Sequence, residues 1–210
     1  MFGKSNVGRA YDLPFDVQTR KFSYYNAKKQ GLRTDPEYVR FIEDWAKVTF
    51  IVPPRMDKYI SVNMEIQGIF QNYGSPNDIY PYSIDEGFID LSSSLNYFVP
   101  EKQLSRKQKL DLISAKIQRD IWRQTGIYST VGISNANPLL AKLALDNEAK
   151  KTPTMRANWS YEDVEQKVWS IPNMTDFWGI GKRMEKRFNT LGIHSIKDLA
   201  NANPDILNRR

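Results

Sequence analysis

The order of hydrophobic periods along the chain predicts an α+β fold. A ferredoxin-like sheet with helices packed on one face is followed by a separate all-α segment. Three observations lead there. Strand-like and helix-like periods alternate as β-α-β-β-α-β-α between residues 48 and 169. From residue 171 onward the pattern changes to short helices parted by glycine turns. The chain has 210 residues, 40% of them hydrophobic, enough for one large or two small cores.

The elements follow in order. Residues 1–46 are polar and weakly periodic, except that RTDPEYVRFIEDWA (33–46) predicts a helix starting near Asp35-Pro36, where proline suits the first turn. VTFIV (48–52) is β-branched and aromatic and is ended by Pro53-Pro54, which predicts a short buried strand. Over 56–73, Met56, Tyr59, Ile60, Ile66, Ile69, Phe70 and Tyr73 recur at helical spacing. GSPND (74–78) is a turn, and two strands follow with an acidic pair near their junction. A second amphipathic helix covers 105–124, with Leu110, Ile113, Ile117 and Ile121 on one face and seven Lys/Arg within 101–124. YSTVGIS (128–134) reads as a strand, NPLLAKLALDNEAKK (137–151) as a helix, and 161–169 as another short helix. The last segment reads as short helix, Gly-Ile-Gly hairpin, helix, Leu-Gly-Ile turn and helix. Met184, Phe188 and Leu191 share a face there, and Ser195 and Asp198 have capping-box spacing. Trp169 and Trp178 are expected to pack this segment, behind a domain boundary near 165–170.

Composition excludes several classes. With no cysteine there are no disulfides or thiolate zinc sites, which fits a cytoplasmic protein. A single histidine, His194, argues against a Ser-His triad or a His-rich metal site. The chain lacks an apolar run of about 18 residues, so no membrane span is expected. Its N-terminus lacks the apolar stretch of a secretory signal. A net charge of +6 leans towards an anionic partner, although charge of this size also simply solvates a surface.

Three motifs carry chemistry. Asp85 and Glu86 stand side by side in YPYSIDEGFIDLSSS (80–94), flanked by apolar strand residues. Charges in such company are costly to bury unless something compensates them. Magnesium would, because it takes carboxylate oxygens and shares them with phosphate substrates. Neighbours on a flat strand face opposite ways, so convergence on an ion requires a bend, which Gly87 would permit. The competing reading is a pair of hydrated turn acids. The second motif is Gly179-Ile180-Gly181 followed by Lys182-Arg183. Its glycines let backbone approach a phosphate and its next helix points N–H groups at it. Residues 179–210 hold seven Lys/Arg against three Asp/Glu, which favours sequence-independent DNA contact over a plain glycine C-cap corner. The third is Lys142 in LLAKLA, which either snorkels to water or meets a triphosphate as a point charge; spacing does not choose. Tyr24, Tyr25, Lys28 and Lys29 read as a solvated loop rather than a nucleic-acid patch.

Together these stretches resemble the Y-family (translesion) DNA polymerases, in their UmuC-like branch. SIDEGFIDLS is similar to the palm hairpin of that family, VGISNANPLLAKLALDNEAKK to its next strand and helix, and WGIGKRMEKRFNTLGIHSIKDLA to the helix-hairpin-helix of its thumb. VTFIVPPRMDKY resembles the segment that follows the fingers. The resemblance covers roughly residues 47–210. It implies a partial ferredoxin-like palm with an all-α thumb, divided as 1–46 partial fingers with a branch-specific insertion, 47–167 palm with its catalytic hairpin at 80–91, and 168–210 thumb. It implies translesion synthesis in DNA repair, within an SOS response and on damaged DNA. Asp85 and Glu86 would be catalytic and hold Mg²⁺, Lys142 would bind the deoxynucleoside triphosphate, and Gly179, Ile180, Gly181, Lys182 and Arg183 would bind the DNA primer-template.

Two departures from the family pattern are expected. The first metal-binding Asp on an opening strand has no match, and neither does the little-finger domain. The reading is therefore of an incomplete catalytic unit, helped by a complementary N-terminal fragment or accessory proteins. The alternative is a non-catalytic damaged-DNA-binding or assembly module. Three or four fewer buried side chains would cost about 5–12 kcal/mol, comparable with a domain's net stability, so the palm is expected to be marginal and to expose a strand edge.

Overall fold

In the computed structural model, which describes residues 12–207, helices start where polar caps and prolines predict. The chain divides into two units, Met1–Arg55 and Met56–Arg210.

In the first unit, α1 (Tyr24–Lys29) begins after Ser23, whose hydroxyl accepts the Asn26 N–H. The Tyr24–Lys29 stretch is thus a helix rather than the expected loop, with both tyrosines exposed. α2 (Pro36–Lys47) has Pro36 in its first turn and Asp35 accepting the Tyr38 N–H. Its apolar face, Ile42 and Ala46, packs with Phe15, Phe22 and Ala27 in one core. A bridge between Phe15 and Phe22 closes a loop whose tip is pinned by Arg20, which donates to the carbonyls of Ala46 and Thr49.

The strand expected at VTFIV does not form. Residues 49–55 are irregular and Phe50 is 93% exposed. Strand propensity measures packing against neighbours. No described strand pairs with this segment, and Pro53-Pro54 removes two donors from it.

In the second unit, α3 (Met56–Phe70) leads to an antiparallel pair, β1 (Ile79–Pro81) and β2 (Gly87–Ile89), in the register Ile79↔Ile89 and Pro81↔Gly87. A short α4 (Leu95–Phe98) precedes α5 (Arg106–Thr125). α5 opens on a reciprocal Ser105–Gln108 capping box and closes on Gly126 at φ 70°. β3 (Val131–Ser134) runs parallel to β4 (Arg156–Trp159), joined through α6 (Pro138–Asn147). β4 was not foreseen; it is short and carries Arg156 and Asn158, with Ala157 and Trp159 facing inward. Among the described residues the four strands make two separate pairs rather than one continuous sheet, while the α+β layering is retained.

Two cores hold this unit. One joins Ile69 and Tyr73 to Leu110, Ile113, Ile117 and Ile121, the α5 face read from the sequence. The other joins Leu140, Leu143 and Ala144 of α6, Trp159 of β4, and Val168, Ile171, Ile193 and Ile196. Residues 161–168 form a 3₁₀ turn and a π turn instead of one α-helix. Beyond them lie α7 (Lys182–Thr190), α8 (Ile196–Asn201) and α9 (Pro204–Leu207). Ser195 caps α8 by accepting the Asp198 N–H, and the Asp198 carboxylate reaches back to accept the N–H of His194. Trp169 packs at the core edge, but Trp178 is half exposed.

Candidate functional site

The turn between β1 and β2 closes on itself. The N–H groups of Tyr82 and Ser83 both donate to the Glu86 carbonyl, each at 3.0 Å. The chain therefore reverses over 82–86, ahead of Gly87. At Gly87 a Cβ would lie 2.7 Å from Nε2 of Gln67 on α3, so a side chain there would displace the Gln67 amide. Asp85 is exposed and its Oδ1 accepts from the Ser83 hydroxyl at 2.9 Å. Glu86 is half-buried, and its Oε1 accepts from Lys142 Nζ at 2.6 Å.

Lys142 reaches that carboxylate because of how α6 sits. Leu140, Leu143 and Ala144 occupy its buried face. Gly132 of β3 lets the helix approach closely, since a Cβ there would fall 1.9 Å from the Ala141 carbonyl oxygen. On an adjacent stripe, Lys142, Asp146 and Lys150 follow at i, i+4 spacing. Lys142 is 3.2 Å from Asp146, and Lys150 is 2.6 Å from it. Burial acts to lower the Lys142 pKa, but its hydrogen bonds to Glu86 and Asp146 outweigh that and hold it above the ordinary lysine value. For Asp146, burial raises the pKa, and the bonds from Lys150 and Lys142 overcome it, leaving the carboxyl below its usual range.

The glycine hairpin adjoins this stripe. Gly179 takes φ 93°, a left-handed conformation that favours glycine. Gly181 caps α7 with its carbonyl accepting the Glu185 N–H, and Lys182 and Arg183 begin the helix exposed. An open cleft of about 820 Å³ has Asp146, Lys150 and Lys151 in its lining together with Gly179, Ile180 and Gly181. The Trp178 ring meets Tyr82 of the carboxylate turn edge-on at 5.9 Å.

The structure thus joins Glu86 with Lys142 and sets the 179–183 hairpin beside them. Asp85 lies next to Glu86 but outside the ion-pair chain. Among the described residues no three His, Cys, Asp or Glu side chains cluster closely enough to hold a metal ion. Two contributors escaped the sequence reading. Asp146 could have been found from its i, i+4 spacing to Lys142; Ser83 carries no signal beyond proximity. No helix among the described residues is long and apolar enough to cross a membrane.

The family model described as the impB/mucB/samB family matches residues 22–146, and that of the IMS family HHH motif matches 161–193. The chain is 36% identical to UvrX of Bacillus subtilis, a protein named for UV-damage repair, over 87% of this chain and 40% of that protein. It is 32% identical to DNA polymerase IV 2 of Halalkalibacterium halodurans, over 83% of this chain and 39% of that protein. The chain spans about 40% of the length of these relatives. The crystal structure of DinB from Sulfolobus solfataricus superposes with a TM-score of 0.61 at 24% identity, covering 87% of this chain and 49% of that one, a likeness of fold.

Proposed function

The chain belongs to the impB/mucB/samB family of UmuC-like, Y-family DNA polymerases, and on that premise we propose that it supplies part of a translesion polymerase: the carboxylate turn, the triphosphate lysine and a DNA-gripping hairpin. The observation that carries this reading is the 2.6 Å contact between Glu86 and Lys142. Two motifs that are 56 residues apart in sequence meet, and each has the chemistry of one half of a nucleotidyl-transfer site.

In this proposal residues 1–46 are partial fingers, 47–167 palm and 168–210 thumb. Asp85 and Glu86 offer hard oxygen donors, and magnesium is often held by one or two carboxylates with waters and substrate phosphates completing its shell, so the pair fits it. When bound, such an ion neutralises charge that develops on phosphate oxygens during transfer. Lys142, kept protonated by its two carboxylates, exchanges Glu86 for the incoming triphosphate. The N–H groups at the start of α7 face DNA phosphates, with Lys182 and Arg183 adding charge. Cytoplasmic action on damaged templates is part of the same proposal, supported by the cysteine-free composition and by the relatives' names.

Primer extension tests it. Extension is expected at background for the chain alone and above it when a family N-terminal palm segment is supplied, with loss on Asp85→Ala or Glu86→Ala. Extension that ignores both substitutions would rule the assignment out.

A further inference from the structure

Beneath the carboxylate turn, α3 presents Asn63 and Gln67, one helical turn apart and on one face. The Asn63 amide donates one hydrogen to the Ser83 carbonyl at 2.9 Å and the other to the Ile84 carbonyl at 2.7 Å. Those are the two peptide carbonyls immediately ahead of Asp85. Gln67 Nε2 donates to Asn63 Oδ1 at 3.1 Å, which fixes the orientation of that amide. The space over Gly87 is filled by the same Gln67 amide. Every polar atom of the Asn63 side chain is therefore engaged, and the turn is tied to a helix anchored in the core by Ile69.

We propose that Asn63 is a positioning residue for Asp85 and Glu86, with Gln67 as its support. The proposal rests on the reading of those acids as cation-binding carboxylates. A turn of five residues that carries an exposed Asp85 beside a half-buried Glu86 gains little rigidity from its own few hydrogen bonds, and like charges drive adjacent carboxylates apart. Tying both preceding carbonyls to one side chain removes that freedom before any cation arrives. Groups that hydrogen-bond metal ligands directly are typically worth about 10–100-fold in metal affinity; Asn63 acts through the backbone ahead of them, which places its effect at the low end of that range.

The test uses the full chain and Mn²⁺ alone as the probe. Wild type, Asp85→Asn/Glu86→Gln, Asn63→Ala, Asn63→Asp and Ile69→Val are compared by Mn²⁺ titration, and amide exchange is followed at Tyr82 and Ser83. Asn63→Asp keeps the size of the side chain but cannot donate to either carbonyl. We expect about tenfold weaker Mn²⁺ binding in both Asn63 variants, with faster exchange at Tyr82 and Ser83. Ile69→Val, which loosens the core without touching the turn, should leave Mn²⁺ affinity unchanged. Wild-type affinity and unaltered exchange in the Asn63 variants would overturn the proposal while leaving the carboxylate assignment standing. Equal weakening by Ile69→Val would overturn it too, since the effect would then be general loosening. Wild-type Mn²⁺ binding that survives Asp85→Asn/Glu86→Gln would bring down the carboxylate assignment and the positioning role together.

Discussion

At the scale of single residues, Lys142 is the most consequential side chain in the site. Its ammonium is nearly buried and shared by Glu86 and Asp146. Replacing it with Met fills similar volume but leaves two carboxylates facing each other. Lys142→Met is expected to lower unfolding free energy by about 1–3 kcal/mol, the cost of leaving a buried group unpaired, as measured by urea denaturation. The pH dependence follows from the same groups. Asp146 and Asp163 have lowered pKa values in the fold: Asp146 through Lys150 and Lys142 against burial, Asp163 through Lys107 and the Ser160 N–H. A carboxyl lowered on folding contributes stability above its unfolded value, near 4, and loses it as pH falls through the folded one. The raised Lys142 contributes below its unfolded value, near 10.4, and loses it as pH rises through the folded one. Urea midpoints should therefore fall on the acid side below about pH 4 and on the alkaline side above about pH 10. Midpoints that keep rising from pH 5 to pH 3 would contradict the Asp146 and Asp163 contacts.

Among the elements, the seating of α6 on β3 decides whether Lys142 reaches Glu86 at all. Gly132 makes that seating possible, because any Cβ would collide with backbone at Ala141 and with Leu145. Gly132→Ala must push the helix away, which is expected to cost at least about 1–3 kcal/mol by overpacking. It should also uncouple Lys142 from Glu86, seen as a Lys142 ammonium resonance that no longer responds to Glu86→Gln. Helix starts were legible in the sequence because capping is local: Asp35, Ser105, Asn137 and Ser195 each bond within their own first turn. Strands were less legible. VTFIV has strand composition but no described partner, whereas RANW is polar in two of four positions and still pairs with β3 because Ala157 and Trp159 reach a core.

For the whole molecule, charge and core distribution lead to two further expectations. The hairpin side carries exposed Lys182 and Arg183 next to Lys150 and Lys151 of the cleft. Binding to duplex DNA should weaken steeply with salt, and Lys182→Ala/Arg183→Ala should reduce the slope of log affinity against log salt by about two, one per lost phosphate contact. An unchanged slope would remove the hairpin from the DNA path. Each of the two units also has its own apolar packing, one core around Phe15 and Ile42 in the first, and two in the second, around Ile113 and around Leu143. Ile113→Ala is expected to cost about 2–5 kcal/mol and to raise amide exchange through α3 and α5 while sparing α2.

The sequence by itself determined the order of most elements, the helix caps, the α5 core face and the identity of the charged and glycine motifs. All of these depend on residues within a turn or two of one another. Only the tertiary structure decided that Glu86 pairs with Lys142, that Asp146 shares the lysine, that Asn63 ties down the turn and that VTFIV stays unpaired. Those outcomes depend on which segments meet in space. Apart from Asp146, whose spacing to Lys142 lay open in the sequence, they are fixed by close backbone approach and by the geometry of individual hydrogen bonds, to which hydrophobic periodicity is blind.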